Sequence, residues 1–135
     1  MEIIIRPARI REVEGIKRLI NKFAREKRLL RRSEKEIRRE IRDFFVAVTE
    51  NGEIVGCVAL DVYSRKLAEV RSLAVDTHWG GLNLGSELVQ ACLARAKSRK
   101  VAEVMAITSS EKFFEKQGFG FALPHEKKAL FYWTK

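Results

Sequence analysis

The chain has 135 residues, 46% of them hydrophobic, which suits one compact core and is too short for two. No apolar run approaches the ~20 residues that a membrane span requires, and "MEIIIRPARI" lacks the long apolar stretch and small-residue cleavage site of a secretory signal. A net charge of +9, from 27 Lys and Arg against 18 Asp and Glu, attracts anions without choosing among nucleic acid, a phosphorylated cofactor and an acidic metabolite.

In chain order, "EIIIR" reads as a first strand ended by Pro7. From residue 11 to residue 24, Val13, Ile16, Ile20 and Phe23 recur at helical spacing, although Gly15 costs that helix ~1 kcal/mol relative to alanine. Ser33 followed by Glu36 is a capping box that starts a second, short helix, with Ile37 and Ile41 as its apolar pair and Glu34 placed to meet Arg38. This region is strongly basic, but no aromatics interleave the charges for base stacking, so a solvated helix face is expected and nucleic acid is not. "FFVAVTENGEIVGCVALDVY" reads as a β-hairpin, its turn marked by Asn51 and Gly52, which tolerate the positive φ angles of a type I′ turn. "LAEVRSLAV" is a further strand, residues 84–98 a helix, "AEVMAIT" a strand, "SEKFFEKQGF" a short helix closed by Gly118, and "KALFYWT" a last strand. The order β-α-α-β-β-β-α-β-α-β defines a mixed α/β domain spanning residues 1–135, whose strand–helix–strand crossover should be parallel. The two cysteines, Cys57 and Cys92, lie in apolar surroundings without metal-ligand spacing, so they are expected to be buried free thiols in a reducing cytoplasm, with no zinc site.

Between the fourth strand and its helix lies "VDTHWGGLNLGSELVQ". A helix start offers unpaired amides and a positive dipole end to a phosphate. The stretch holds no Lys or Arg, but Gly81 and Gly85 permit close backbone approach, and Asn83 is the non-glycine residue that best takes a left-handed conformation.

The element order, "VRSLAVDTHWGGLNLGSELV" and "FFEKQGF" resemble the GCN5-related N-acetyltransferase superfamily. Across nearly the whole chain, "IRPARIREVEGIKRLI", "LLRRS", "VGCVALDVYSRKLAEVRSLAV", "AITSSEKFFEKQGF" and "LPHEKKALFYW" resemble the acetyltransferase domain of N-acetylglutamate synthases. That resemblance implies acetyl-CoA as cosubstrate and a small amine, most specifically glutamate for arginine biosynthesis, as acceptor. It also implies a coenzyme loop over Gly80, Gly81, Leu82, Asn83, Leu84, Gly85 and Ser86, and a strand edge at Leu73, Ala74 and Val75 for the pantetheine arm. The superfamily's usual R/Q-x-x-G-x-G/A loop motif falls at Gly80, Asn83 and Gly85; here its first position lacks the Arg or Gln and its second lacks the glycine.

Acetyl transfer needs a held thioester, a free-base amine, a place for oxyanion charge and a proton for the departing thiolate. By resemblance Glu69 is the general base, acting through water; the competing expectation is a salt bridge to Arg71, which an extended strand puts on the same face. Phe114 stands in the coenzyme site where many relatives carry a proton-donating tyrosine. Thr108 and Ser72 are the candidates to assist the leaving group, with protonation by water as the alternative. Arg32 in "LLRRS", Arg71 and Lys127 are the expected substrate-binding residues. The family's further Arg/Ser/Lys cluster is expected to be missing after "FYWTK", as is the arginine-sensing kinase-like domain that these synthases often carry. "ALFYW" is a candidate edge for a homodimer. Acetylation of another small amine or a protein N-terminus, and acetyl-CoA binding without turnover, are the competing functions.

Overall fold

The computed structural model describes residues 2–25, 31–120, 130 and 132–134. Five strands form one sheet in the order β1-β2-β3-β4-β5. They are β1 (Ile3–Pro7), β2 (Phe44–Thr49), β3 (Ile54–Val62), β4 (Leu67–Val75) and β5 (Glu103–Met105). The first three pairings are antiparallel, and β4 meets β5 in parallel, as a strand–helix–strand crossover requires. The helices are α1 (Val13–Arg25), α2 (Glu34–Arg39), α3 (Leu84–Ser98) and α4 (Glu111–Lys116).

Two cores sandwich the sheet. On one face α1 and α2 bury Val13, Ile16, Ile20, Phe23 and Ile37 against Phe44, Val46, Cys57 and Ala59. On the other, Leu84, Leu88, Val89, Cys92 and Ala96 of α3 and Phe114 of α4 cover Ala47, Val58, Leu60, Ala68 and Val70. Strand β2, which has a neighbour on each side, is buried at every position, which explains its unbroken apolar run "FFVAV". The expected stripe of α1 is found buried, and Ser33 caps α2 as its pattern requires. Its Oγ accepts from the Glu36 amide at 3.1 Å, and Glu36 accepts from the Ser33 amide at 3.3 Å.

Four expectations need correction. The hairpin turn is not type I′, because Gly52 takes a positive φ of 85° and Asn51 does not. Thr49 and Glu53 bracket a three-residue loop, with the Gly52 amide donating to the Thr49 carbonyl at 2.9 Å. The helix expected from residue 11 begins as a 3-10 turn, Ile10–Glu12, and becomes α-helical at Val13. Strand β5 ends at Met105, so residues 106–108 leave the sheet. The last expected strand falls largely outside the described residues, and Leu130 and residues 132–134, which are described, are exposed and not in a strand.

The 3-10 turn has a local cause. Glu12 accepts from the Arg9 amide at 2.8 Å and from both terminal nitrogens of Arg6, at 2.9 and 2.5 Å. Burial would push the Glu12 carboxyl up, but these bonds outweigh it and hold the carboxyl below its usual range. A depressed carboxylate stabilises the fold fully above its unfolded value, and that contribution is lost as pH falls through the folded one. Chemical denaturation of Glu12→Gln between neutral and acid pH should therefore show a flatter stability profile than the parent; equal slopes would remove this pair from the account.

Gly15 also has its reason. A Cβ there would stand 2.9 Å from Cγ1 of Ile54, so glycine lets α1 lie close on β3. Gly15→Ala gains ~1 kcal/mol of helix propensity but meets an overpacking cost of about 1–3 kcal/mol. A thermal melt should show a lower midpoint for the variant, and a raised one would mean that Ile54 gives way freely.

Candidate active site

The period-two pattern of β4 breaks in the middle. Ala68 and Val70 face the α3 core, and the next residues to do so are Leu73 and Val75. The register agrees: Cys57 lies opposite Ala74 and Ala59 opposite Arg71, so Val58 alone faces both Ser72 and Leu73. This is a β-bulge, and Ser72 occupies it with φ of 56°, which a non-glycine residue adopts only when its surroundings impose it. The surroundings are visible. Arg32, 5% exposed, donates from Nη1 to Ser72 Oγ at 3.0 Å, while its Nη2 meets Glu40 and its Nε lies 3.5 Å from Glu36. Beneath the bulge the Cys57 thiol donates to the Ser72 carbonyl at 3.4 Å, and burial pushes that thiol up to about 12.

On its other side β4 pairs with β5 over only three positions, ending with Glu69 opposite Met105. Beyond that point residues 70–75 have no strand partner on this side among the described residues, so β4 presents an open edge. Such an edge offers backbone donors and acceptors to an extended ligand.

The open edge leads into the loop before α3. Asp76 caps a 3-10 turn, Thr77–Trp79, accepting from the His78 amide at 2.9 Å, and that bond chiefly holds its carboxyl below the usual range. Gly80 is extended, Gly81 has φ of 81°, and Asn83 takes the left-handed conformation, φ 60° and ψ 21°. The Glu87 amide donates to the Asn83 carbonyl at 3.0 Å, so the amides of Leu84, Gly85 and Ser86 precede the helical ladder. With no Lys or Arg from 80 to 86, what this loop can offer an anion is backbone amides at the start of a fifteen-residue helix. Gly85 is closed on its far side by the ring of Phe113, 3.4 Å from where a Cβ would stand. The geometry fits a ligand with an extended arm along β4 and phosphates at α3.

Two further residues complete this region and carry no motif. Gln117 of the α4 end donates to Ser86 Oγ at 2.7 Å and accepts from Gln90 at 3.1 Å, joining α4 to the first two turns of α3. Their one signal in sequence is the i, i+4 spacing of Ser86 and Gln90. Phe114 is buried, edge-on to Phe113 and Phe119 at ring distances of 5.0 and 5.2 Å. Thr108 lies beyond β5, exposed, and accepts from the Ser110 amide at 2.8 Å.

The expected contact of Glu69 with Arg71 is absent. Arg71 pairs with Asp61 across the strands at 3.1 Å, and Glu69 accepts from the Tyr63 hydroxyl at 2.5 Å. Of the three residues expected to grip a substrate, Arg32 and Arg71 are engaged with carboxylates of the chain itself, and Lys127 lies outside the described residues.

The chain belongs to the Acetyltransferase (GNAT) family, whose family model matches residues 12–119. It is therefore an N-acetyltransferase with acetyl-CoA as cosubstrate. An uncharacterised N-acetyltransferase of Chlorobaculum tepidum is 37% identical over 115 residues, covering 85% of this chain and 74% of that relative. An amino-acid acetyltransferase of Mycobacterium tuberculosis is 32% identical over 118 residues, covering 86% and 67%. Among solved structures, a Mycobacterium tuberculosis protein in complex with CoA and NLQ superposes with a TM-score of 0.81 at 32% identity, covering 85% of this chain and 70% of that one. The N-acetylglutamate synthase of Neisseria gonorrhoeae, complexed with coenzyme A and L-arginine, superposes with a TM-score of 0.77 at 25% identity over 94% of this chain, which spans 29% of that longer protein. No helix among the described residues is long and apolar enough to cross a membrane.

The loop geometry separates the two departures from the superfamily motif. Asn83 already holds a left-handed conformation, so Asn83→Gly should leave coenzyme A affinity nearly unchanged. Gly80 is extended and its nearest obstacle, the Thr77 carbonyl, is 3.4 Å from a built Cβ, so an arginine fits there. Calorimetric titration should show Gly80→Arg tightening coenzyme A by about tenfold, the lower end of one charge-assisted bond at about 1.5–3 kcal/mol; an unchanged Kd would show that backbone amides suffice.

Proposed function

We propose that residues 1–135 form one catalytic domain that acetylates the α-amine of an amino acid, with L-glutamate the leading acceptor and arginine biosynthesis in the cytoplasm the setting. The observation that carries the reading is the position of Glu69: a carboxylate at the last β4–β5 rung, where the open edge of β4 begins. The name of the Mycobacterium tuberculosis relative and that of the Neisseria gonorrhoeae structure support the acceptor class. Two buried free thiols suit a reducing compartment.

When bound, the cosubstrate supplies an acetyl group activated as a thioester. The chain's own part follows from its geometry. The amides of Leu84, Gly85 and Ser86 and the loop at 80–83 hold phosphate oxygens at the positive end of α3. Leu73, Ala74 and Val75 pair through their backbones with the extended arm, and an amide of this edge faces the oxygen that becomes negative as the amine attacks. Glu69 accepts the ammonium proton through water, since an α-amine is largely protonated at neutral pH. Phe114 has no proton to give. The departing sulfur takes its proton either from water or from a hydroxyl, Thr108 or Ser72; both of these accept a bond in the fold and keep their own O–H to donate.

A second reading, acetylation of another small amine or a peptide N-terminus, is favoured by one observation. Arg32 and Arg71 already serve Glu40, Glu36 and Asp61, so neither offers an unshared guanidinium to a substrate carboxylate. A thiol-release assay with glutamate, glutamine, other amino acids and a dipeptide amine decides between the readings. Glutamate or a near relative should give the highest kcat/KM; turnover confined to amines without an α-carboxylate would transfer the assignment to the second. Within either, Glu69→Gln should lower kcat by about 10²-fold or more while coenzyme affinity stays the same.

A further inference from the structure

An unprotected Glu69 would be a poor proton acceptor in this sheet. Arg71 lies two residues on and on the same face, and a direct ion pair would neutralise the carboxylate. Two diagonal contacts across β3 and β4 prevent it. Asp61 stands opposite Glu69 in the register but reaches past it to Arg71, at 3.1 Å. Tyr63, whose amide donates to the Leu67 carbonyl at 3.0 Å, reaches diagonally the other way, so that its phenol donates to Glu69 Oε1 at 2.5 Å. The ionisable groups facing Glu69 are thus Asp61 on β3, Arg71 on β4 and Tyr63 at the end of β3; its β5 neighbour, Met105, carries none. Among the described residues no cation pairs with Glu69.

From this arrangement we infer that Tyr63 is a positioning residue for the acetyl-transfer site: its phenol fixes Glu69 Oε1, keeps the carboxylate off Arg71, and leaves Oε2 as the oxygen that receives the proton. The inference rests on the reading of Glu69 as base, and it adds a residue that no motif of the sequence indicates. Tyr63 is also suited to the task chemically. Burial, the bond to Glu69 and the nearby carboxylates push its phenol up to about 12, so it stays a donor throughout the pH range in which the amine reacts.

The experiment uses the intact chain with Tyr132→Phe as background, leaving Tyr63 as the one tyrosine. In that background Tyr63→Phe should lower kcat about tenfold, an effect of the size that mispositioning one catalytic group produces, with the KM for acetyl-CoA and the melting temperature unchanged. An unaltered kcat, or an equal loss in coenzyme affinity, would overturn the inference. Ultraviolet titration of the phenol checks the contact without turnover: Glu69→Gln should bring Tyr63 down toward the ordinary ~10, and a phenol that titrates unchanged would show that the bond does not form. If Glu69→Gln retains full activity while the phenol does shift, the base assignment has failed and the Tyr63–Glu69 contact stands without its catalytic purpose.

Discussion

The site depends on one local irregularity, the extra residue that β4 carries at Ser72 and Leu73. A regular strand at this place would keep its pleat to the end, and Val70 would be followed on the α3 face by Ser72 and Ala74. With the insertion, Leu73 and Val75 take that face and Ala74 turns to the α1 core. The bulge turns β4 beside its open edge, which begins one residue beyond the Glu69 rung, and directs the chain toward the first turn of α3. A left-handed serine costs of the order of 1 kcal/mol, and the fold offsets it with the Arg32 guanidinium, which is itself paired with Glu40 and Glu36. Arg32 thus ties the α2 side of the molecule to β4.

This arrangement changes how the basic character of the chain is understood. A net charge of +9 suggested an anion-seeking surface, yet the loop at 80–86 contains no Lys or Arg. Attraction at that point comes from peptide dipoles and from amides not yet taken into the helix. The arginines nearest the reacting side are neutralised by neighbours within a few ångströms. Long-range charge can draw a polyanionic cosubstrate toward the domain, while under the proposed reading fixed backbone groups define where it stops.

Much of the architecture was legible because its signals are local. The limits of β4 and of α3, the Ser33 cap and the left-handed capacity of Asn83 each follow from a few consecutive residues. The bulge was legible in principle too: Ala68, Val70, Leu73 and Val75 skip from a spacing of two to one of three. What escaped were contacts set by register and by distance along the chain. The Tyr63–Glu69 bond exists because the turn at 64–66 fixes which residues stand diagonal to one another. Arg32 meets Ser72 across forty positions, so its sequence context could suggest a ligand-binding guanidinium but not the carboxylates waiting for it. Strand β5 was overestimated too: "AEVMAIT" has the composition of a long strand, but the chain leaves β4 after Met105 although the β4 edge runs on to Val75.

The two cysteines have a practical consequence. Both thiols are fully enclosed, and burial pushes each up to about 12, so neither presents a thiolate near neutral pH. Chromogenic disulfide reagents, which react with thiolates, should find none of their own to consume in the folded protein. The colour that develops during turnover then reports released coenzyme alone, and a slow background without substrate becomes a direct measure of how much of the sample has lost its fold.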